Sequence, residues 1–150
     1  MEFNPDNEVV RLCIKGITEE GEGRPATAKT CYEQAWRLAV NDFEKFTAAH
    51  YLARQQDSVA EKLHWDEIAL QHALNHSDEG IKQYLPSLYL NIAKCYEDLG
   101  EISTAQLRYQ DASEFTAYLN HDGYGNMIRA GIEQGLKRTL LFTKDTSERS

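Results

Sequence analysis

The residues of this chain whose types invite chemistry are five histidines, three cysteines and a glycine-rich segment. His72 and His76 are four apart, so on a helix they share one face. Glu61 and His64 form an ExxH pair. A di-iron bundle needs two such motifs and further carboxylates. Only one is present, so these side chains read as a solvated helix face, and no metal is expected. Cys13, Cys31 and Cys95 are odd in number and lack zinc-site spacing. They read as reduced, buried thiols of a cytoplasmic protein. No GxSxG elbow or cysteine-protease signature accompanies the histidines. The segment GEGRP at 21–25 does not follow a strand, so it reads as a turn rather than a phosphate loop. No catalytic residue and no cofactor are expected.

Composition says what elements must carry these residues. Ala, Leu and Glu number 15 each among 150 residues, whereas valine occurs four times. Strong helix formers dominate and β-branched residues are few, which argues for an all-α fold. Glycine and proline together make only 12 residues, few for a loop-rich sandwich or barrel. No apolar run approaches the length of a membrane span. The start, MEFNPDNE, is too polar and acidic for a signal peptide. A net charge of −8 argues against nucleic acid, whose phosphates need a basic surface.

The chain repeats. Gly16, Ala49 and Ala93 are separated by 33 and then 44 residues. The same spacing links Gly23, Gln56 and Gly100; Ala28, Glu61 and Ala105; Tyr32, Trp65 and Tyr109; and Ala35, Ile68 and Ala112. Small residues on two helices permit close approach, and the aromatic fills the gap beside them. Each unit reads as a helical hairpin, and one hairpin cannot bury its apolar face alone, so neighbours must stack.

Seven helices are expected. The first starts at Asn4, as cap, with Pro5 at its first position, and runs to Glu20. The others lie at about 25–40, 42–55, 58–76, 81–99, 102–119 and 123–142. Asn41 or Asp42 caps the third. Pro86 sits within or at the start of the fifth, with a kink or a separate short helix at 80–84 as the alternative. The seventh places Met127, Ile128, Ile132, Leu136 and Leu140 over the last hairpin as a cap. The expected domain is 1–142, with repeats at 9–41, 42–76 and 81–119 and a disordered tail at 143–150. Tyr32, Trp65 and Tyr109 are expected in the core.

With those residues in view, the pattern resembles the tetratricopeptide repeat (TPR), a pair of helices of 34 residues. Repeat 3 matches best, through Ala93, Tyr96, Gly100, Ala105, Tyr109 and Ala112. Repeat 2 departs from the pattern at Glu61 and Ile68. The segments NPDNEVVRLC, AAHYLAR and YLPSLYLNIAKCYEDLG also resemble small, stand-alone bacterial TPR proteins of unsettled function. The resemblance implies an α–α superhelix whose first helices line a concave groove. It implies a groove including Val10, Cys13, Ile14 and Ile17, then Phe43, Phe46, Thr47, His50 and Arg54, then Leu90, Asn91, Lys94 and Glu97, with Arg129 beyond them. Of the five-residue carboxylate clamp that some relatives use on chaperone tails, only Asn91 and Arg129 match.

The function expected on this basis is non-catalytic. A peptide or protein segment would bind in the groove, with Phe43, Phe46, His50, Arg54, Asn91, Lys94 and Arg129 as the contact residues. A small-ligand sensor or enzyme using polar groove residues, and self-association into a homo-oligomer, stand as alternatives. No nucleic acid and no membrane are expected as partners.

Overall fold

The computed structural model describes the backbone of residues 4–149 and the side chains of residues 4–144. The described residues form seven α-helices and no strand. These are α1 (Glu8–Gly21), α2 (Pro25–Leu38), α3 (Asp42–Ala53), α4 (Val59–Asn75), α5 (Leu85–Asp98), α6 (Ile102–Ser113) and α7 (Gly123–Arg149). Short 3-10 turns cover Glu79–Gln83 and Thr116–Tyr118. The protein is therefore all-α. No helix among the described residues is long and apolar enough to cross a membrane.

Local chemistry sets the helix starts. Asn7, not Asn4, caps α1: its side chain accepts from the amides of Val9 and Val10. Asn4 instead closes a turn before the helix, accepting from the Asp6 amide. At α3, Asn41 accepts from the Glu44 amide while the Glu44 carboxylate accepts from the Asn41 amide, a reciprocal capping box. Ser58 caps α4. Of the two arrangements open at Pro86, the separate turn is found: the 3-10 turn precedes α5, and Pro86 sits in its first turn, where a missing N–H costs nothing.

The chain divides into two compact units, residues 1–78 and 79–150. In the first, α1 pairs with α2 and α3 with α4, and α3 also packs on α1 and α2. Its core holds Val9, Cys13, Ala28, Tyr32, Ala35, Ala48 and Leu52. In the second, α5 pairs with α6, and α7 lies on both. There Tyr109 packs with Ala93 and Ala105, and Ile128 and Ile132 of α7 cover Ala112 and Leu119.

One knot recurs in both units. The ring of Tyr32 fills the space over Gly16, where a Cβ atom would fall inside it. Tyr109 lies in the same way against Gly135 of α7. Each tyrosine is fully buried, and its hydroxyl donates to a glutamate: Tyr32 to Glu20 at 2.8 Å, Tyr109 to Glu97 at 2.6 Å. The loops closing both hairpins turn on a glycine in the left-handed region, Gly23 at φ 80° and Gly100 at φ 83°.

The knot gives a prediction of unusual sign. Replacing an exposed helical glycine by alanine stabilises a protein by roughly 0.5–1 kcal/mol. At Gly16 the new methyl group must displace a buried tyrosine, so Gly16→Ala should instead cost about 1–3 kcal/mol. Gly21, where an added methyl group would meet nothing within 4 Å, is the internal control, and Gly21→Ala should show the ordinary gain. Urea unfolding midpoints of the two variants check this.

Three expectations are corrected. Trp65 is not a fully buried counterpart of Tyr32 and Tyr109; it is half-buried at the edge of the first core. Met127 and Leu140 do not join the covering face of α7 but are 61% and 59% exposed. That face instead uses Ile128, Ile132, Leu136 and the buried Thr139. Finally, residues 143–149 are helical backbone rather than a disordered tail, because no glycine or proline after Gly135 stops α7; Ser150 lies outside the described residues.

Candidate functional site

Four of the expected groove residues lie on or at the end of α3, in the first unit. Phe46 is buried in the core. Phe43 is half-buried, 6.3 Å from the Phe46 ring and 6.0 Å from the His76 ring. An open hollow of about 550 Å³ adjoins it, lined by Asn41, Asp42, Phe43, Asn75, His76, Ser77 and Asp78. His72 faces inward from α4, with its Nδ1 2.9 Å from an Asp42 oxygen. Arg54 is exposed but engaged: it donates to Glu20 at 2.7 Å and lies over the Tyr51 ring.

The other three expected residues belong to the second unit. Asn91 is half-buried. Lys94 donates to Asp98 one turn along its own helix, at 2.8 Å. Arg129 donates to the carbonyls of Thr116, Leu119 and Asn120 at 3.0–3.3 Å, which satisfies the 3-10 turn after α6 and the loop leading into α7. Each expected cation thus has a partner inside its own unit. Among the α1 positions, Val10 and Cys13 are buried, whereas Ile14 and Ile17 are 47% and 39% exposed.

Glu20 and Glu97 are the hubs of matching polar nodes. Glu20 accepts from Tyr32, Arg54 and Gln55. Glu97 accepts from Tyr109 and, through two bonds at 2.8 and 3.0 Å, from Arg138 of α7. The Arg138 bonds hold the Glu97 carboxyl below its ordinary range, and burial followed by the adjacent glutamate raises both tyrosines. Arg54 on α3 and Arg138 on α7 therefore fasten a third helix to a hairpin in the same way.

The second hairpin has no such node, and its register is where the repeat pattern misleads. In α4 the buried positions are Asp66, Ala69 and Ala73. Asp66 is fully buried and accepts from the Lys62 ammonium at 2.6 Å. Lys62, Asp66 and Ala69 stand 34 residues after Ala28, Tyr32 and Ala35, so the correct lag for this helix is one more than the 33 of α3. The reason is loop length. Residues 22–24 and 99–101 close the outer hairpins, but 54–58 close the middle one. Ala69 supplies the alanine that Ile68 lacks, and a lag of 34 applied separately to the second helix would have found it.

His50 adjoins this polar interior. Its Nδ1 is buried and has no hydrogen-bond partner, and its ring meets Tyr51 edge-on at 5.0 Å. Burial, then the positive charges of Arg54 and Lys62, lowers its pKa to about 4. It is neutral at pH 7. Cys13, Cys31 and Cys95 are free and buried, and burial followed by the neighbouring Cys31 pushes the Cys13 thiol up to about 12. An unreactive thiol of that kind is a packing residue. No group of three or more ligating side chains that could hold a metal occurs among the described residues.

No protein-family model, curated protein or solved structure matches the chain.

Proposed function

We propose that the chain is a non-catalytic helical-repeat module of the tetratricopeptide type, which binds a peptide or protein segment along the first helices of its first unit, α1 and α3. The recurring hairpin, with a buried tyrosine packed on alanines and a glycine turn, supports the repeat reading. The observation that carries the binding reading is the pair Ile14 and Ile17, three apart on α1 and both exposed although their neighbours Val10 and Cys13 are core. Large apolar side chains left together on a helix surface favour an interaction site. The cations among the expected contact residues contribute less, since Arg54, Lys94 and Arg129 are engaged internally. Apolar contact from Ile14, Ile17 and Phe43 therefore dominates recognition.

The test is selection of peptides from a displayed random library on the intact chain, followed by affinity measurement on the double variant Ile14→Asp with Ile17→Asp. Because both side chains are exposed, the variant should keep its circular dichroism and melting temperature. Selected peptides should bind it at least tenfold more weakly, a loss of about 1.4 kcal/mol. Unchanged affinity would remove α1 from the site.

A further inference from the structure

We infer that a second surface of the first unit, the hollow between α2 and α4 walled by Trp36 and Trp65, docks an acidic partner segment that carries an apolar anchor residue. The two indole rings meet edge-on at 5.1 Å. Leu52 forms the floor, and Gln56 closes one side by donating its amide to the Leu52 carbonyl at 3.0 Å. Lys29, Glu33 and Arg37 rise along α2 at successive turns and form the rim.

The register of α4 explains why a tryptophan stands here. Asp66 takes the core position that tyrosine holds in the outer hairpins, which turns Trp65 one step round the helix to the edge of the core. Both tryptophans of the chain line this one hollow while packing against the edge of the core. Tryptophan and arginine are the residues most enriched at binding hot spots. At about 290 Å³ the hollow lies at the lower edge of the range of small-molecule sites, roughly 300–1,000 Å³, and it is open. It suits one or two side chains of a partner segment better than an enclosed cofactor.

Charge selects the occupant. In this unit Arg54 and Lys62 are held in ion pairs at 2.7 and 2.6 Å. Lys29 and Arg37 form no ion pair among the described residues, so both cations flank the hollow with donors to offer. The rim carries two positive charges and one negative in a chain whose net charge is −8. A segment with carboxylates on either side of a leucine or phenylalanine would place its anchor between the indoles and its charges on Lys29 and Arg37, forming charge-assisted hydrogen bonds.

The experiment uses the intact chain and its own fluorescence. Since Trp36 and Trp65 are the only tryptophans and both line this hollow, indole emission reports on its occupation. Three synthetic hexapeptides serve as probes: Leu-Phe flanked by glutamates on both sides, the same with Ala-Ala at the centre, and Leu-Phe flanked by lysines. The first should change the emission saturably, with at least tenfold higher affinity than the other two. Raised salt should weaken it. The double variant Lys29→Ala with Arg37→Ala, at surface positions and with unchanged circular dichroism, should lose at least tenfold. The Ile14→Asp, Ile17→Asp variant should bind the probe as the parent does, which separates this site from the α1 surface. An absent or non-saturating response, equal response to all three probes, or indifference to the rim variant overturns the proposal. So does an emission change that follows protein concentration without peptide, which would make the occupant a second copy of the chain.

Discussion

Replacing Lys62 by methionine should destabilise the first unit by about 3 kcal/mol, and adding Asp66→Leu in the same chain should restore most of it. Asp66 is fully buried in α4, and the Lys62 ammonium sits 2.6 Å from it, with part of the lysine still reaching water. Methionine keeps the apolar stem of lysine but removes the charge, so the carboxylate stays in the interior without that partner. Breaking a buried pair from one side typically costs about 3–5 kcal/mol, and the partial exposure of Lys62 places this case at the lower end. With the carboxylate also gone, an apolar side chain of similar size fills the same volume. Chemical unfolding of the two variants and the parent checks both halves. If Lys62→Met alone leaves the unfolding midpoint unchanged, the pair is not holding the α4 interior together.

Acidification should weaken the protein well above the pH at which its carboxylates titrate. His50 has a folded pKa of about 4, against an ordinary value of 6.5. Burial is the main cause, and Arg54 at the end of α3 and Lys62 on α4 add positive charge beside it. Between those two values the unfolded chain binds the proton and the folded chain does not. Stability from this group is therefore complete above pH 6.5, falls as pH drops, and is lost by about pH 4. The interval corresponds to on the order of 3 kcal/mol. Glu97, held below its ordinary range by Arg138, contributes in a lower window, as pH falls past the usual carboxylate range. The two windows separate on a pH titration of melting temperature. His50→Phe should flatten the slope between pH 6.5 and 5 and leave the acid limb in place.

The all-α architecture and most helix limits were legible because their causes are local. The Asn41 and Glu44 pairing, Pro25 at the head of α2 and the turn glycines Gly23 and Gly100 act within a few residues of themselves. Gly16 under Tyr32 was legible too, since one helical hairpin contains both partners, whereas Gly135 under Tyr109 lies on another helix. What was hidden depends on distant chain. Arg54 read as a free cation because its partner, Glu20, lies 34 residues earlier on another helix. Arg129 read as a groove residue although it serves the carbonyls of the turn and loop before α7. The interior of α4 was misread through a single geometric cause. A loop longer than the other two shifted the register by one, and one residue on a helix is 100° of rotation. That rotation exchanged Trp65 for Asp66 in the core and put the tryptophan at the surface.

The matching arginines on α3 and α7 also bear on how far such a stack of helices can grow. Counting back from Arg54, positions eight, five and one residue earlier are Phe46, Ala49 and Ala53, all buried. Counting back from Arg138, the same positions are Ala130, Glu133 and Lys137, all exposed. A helix laid over α7 as α4 is laid over α3 would have to strip water from two charges, at several kcal/mol for each ion. The strip of α7 formed by Ala130, Glu133 and Lys137 therefore costs more to cover than the matching strip of α3. Covering Glu133 and Lys137 would cost their hydration, whereas Leu140 and Leu141 beside that strip stay exposed as apolar surface.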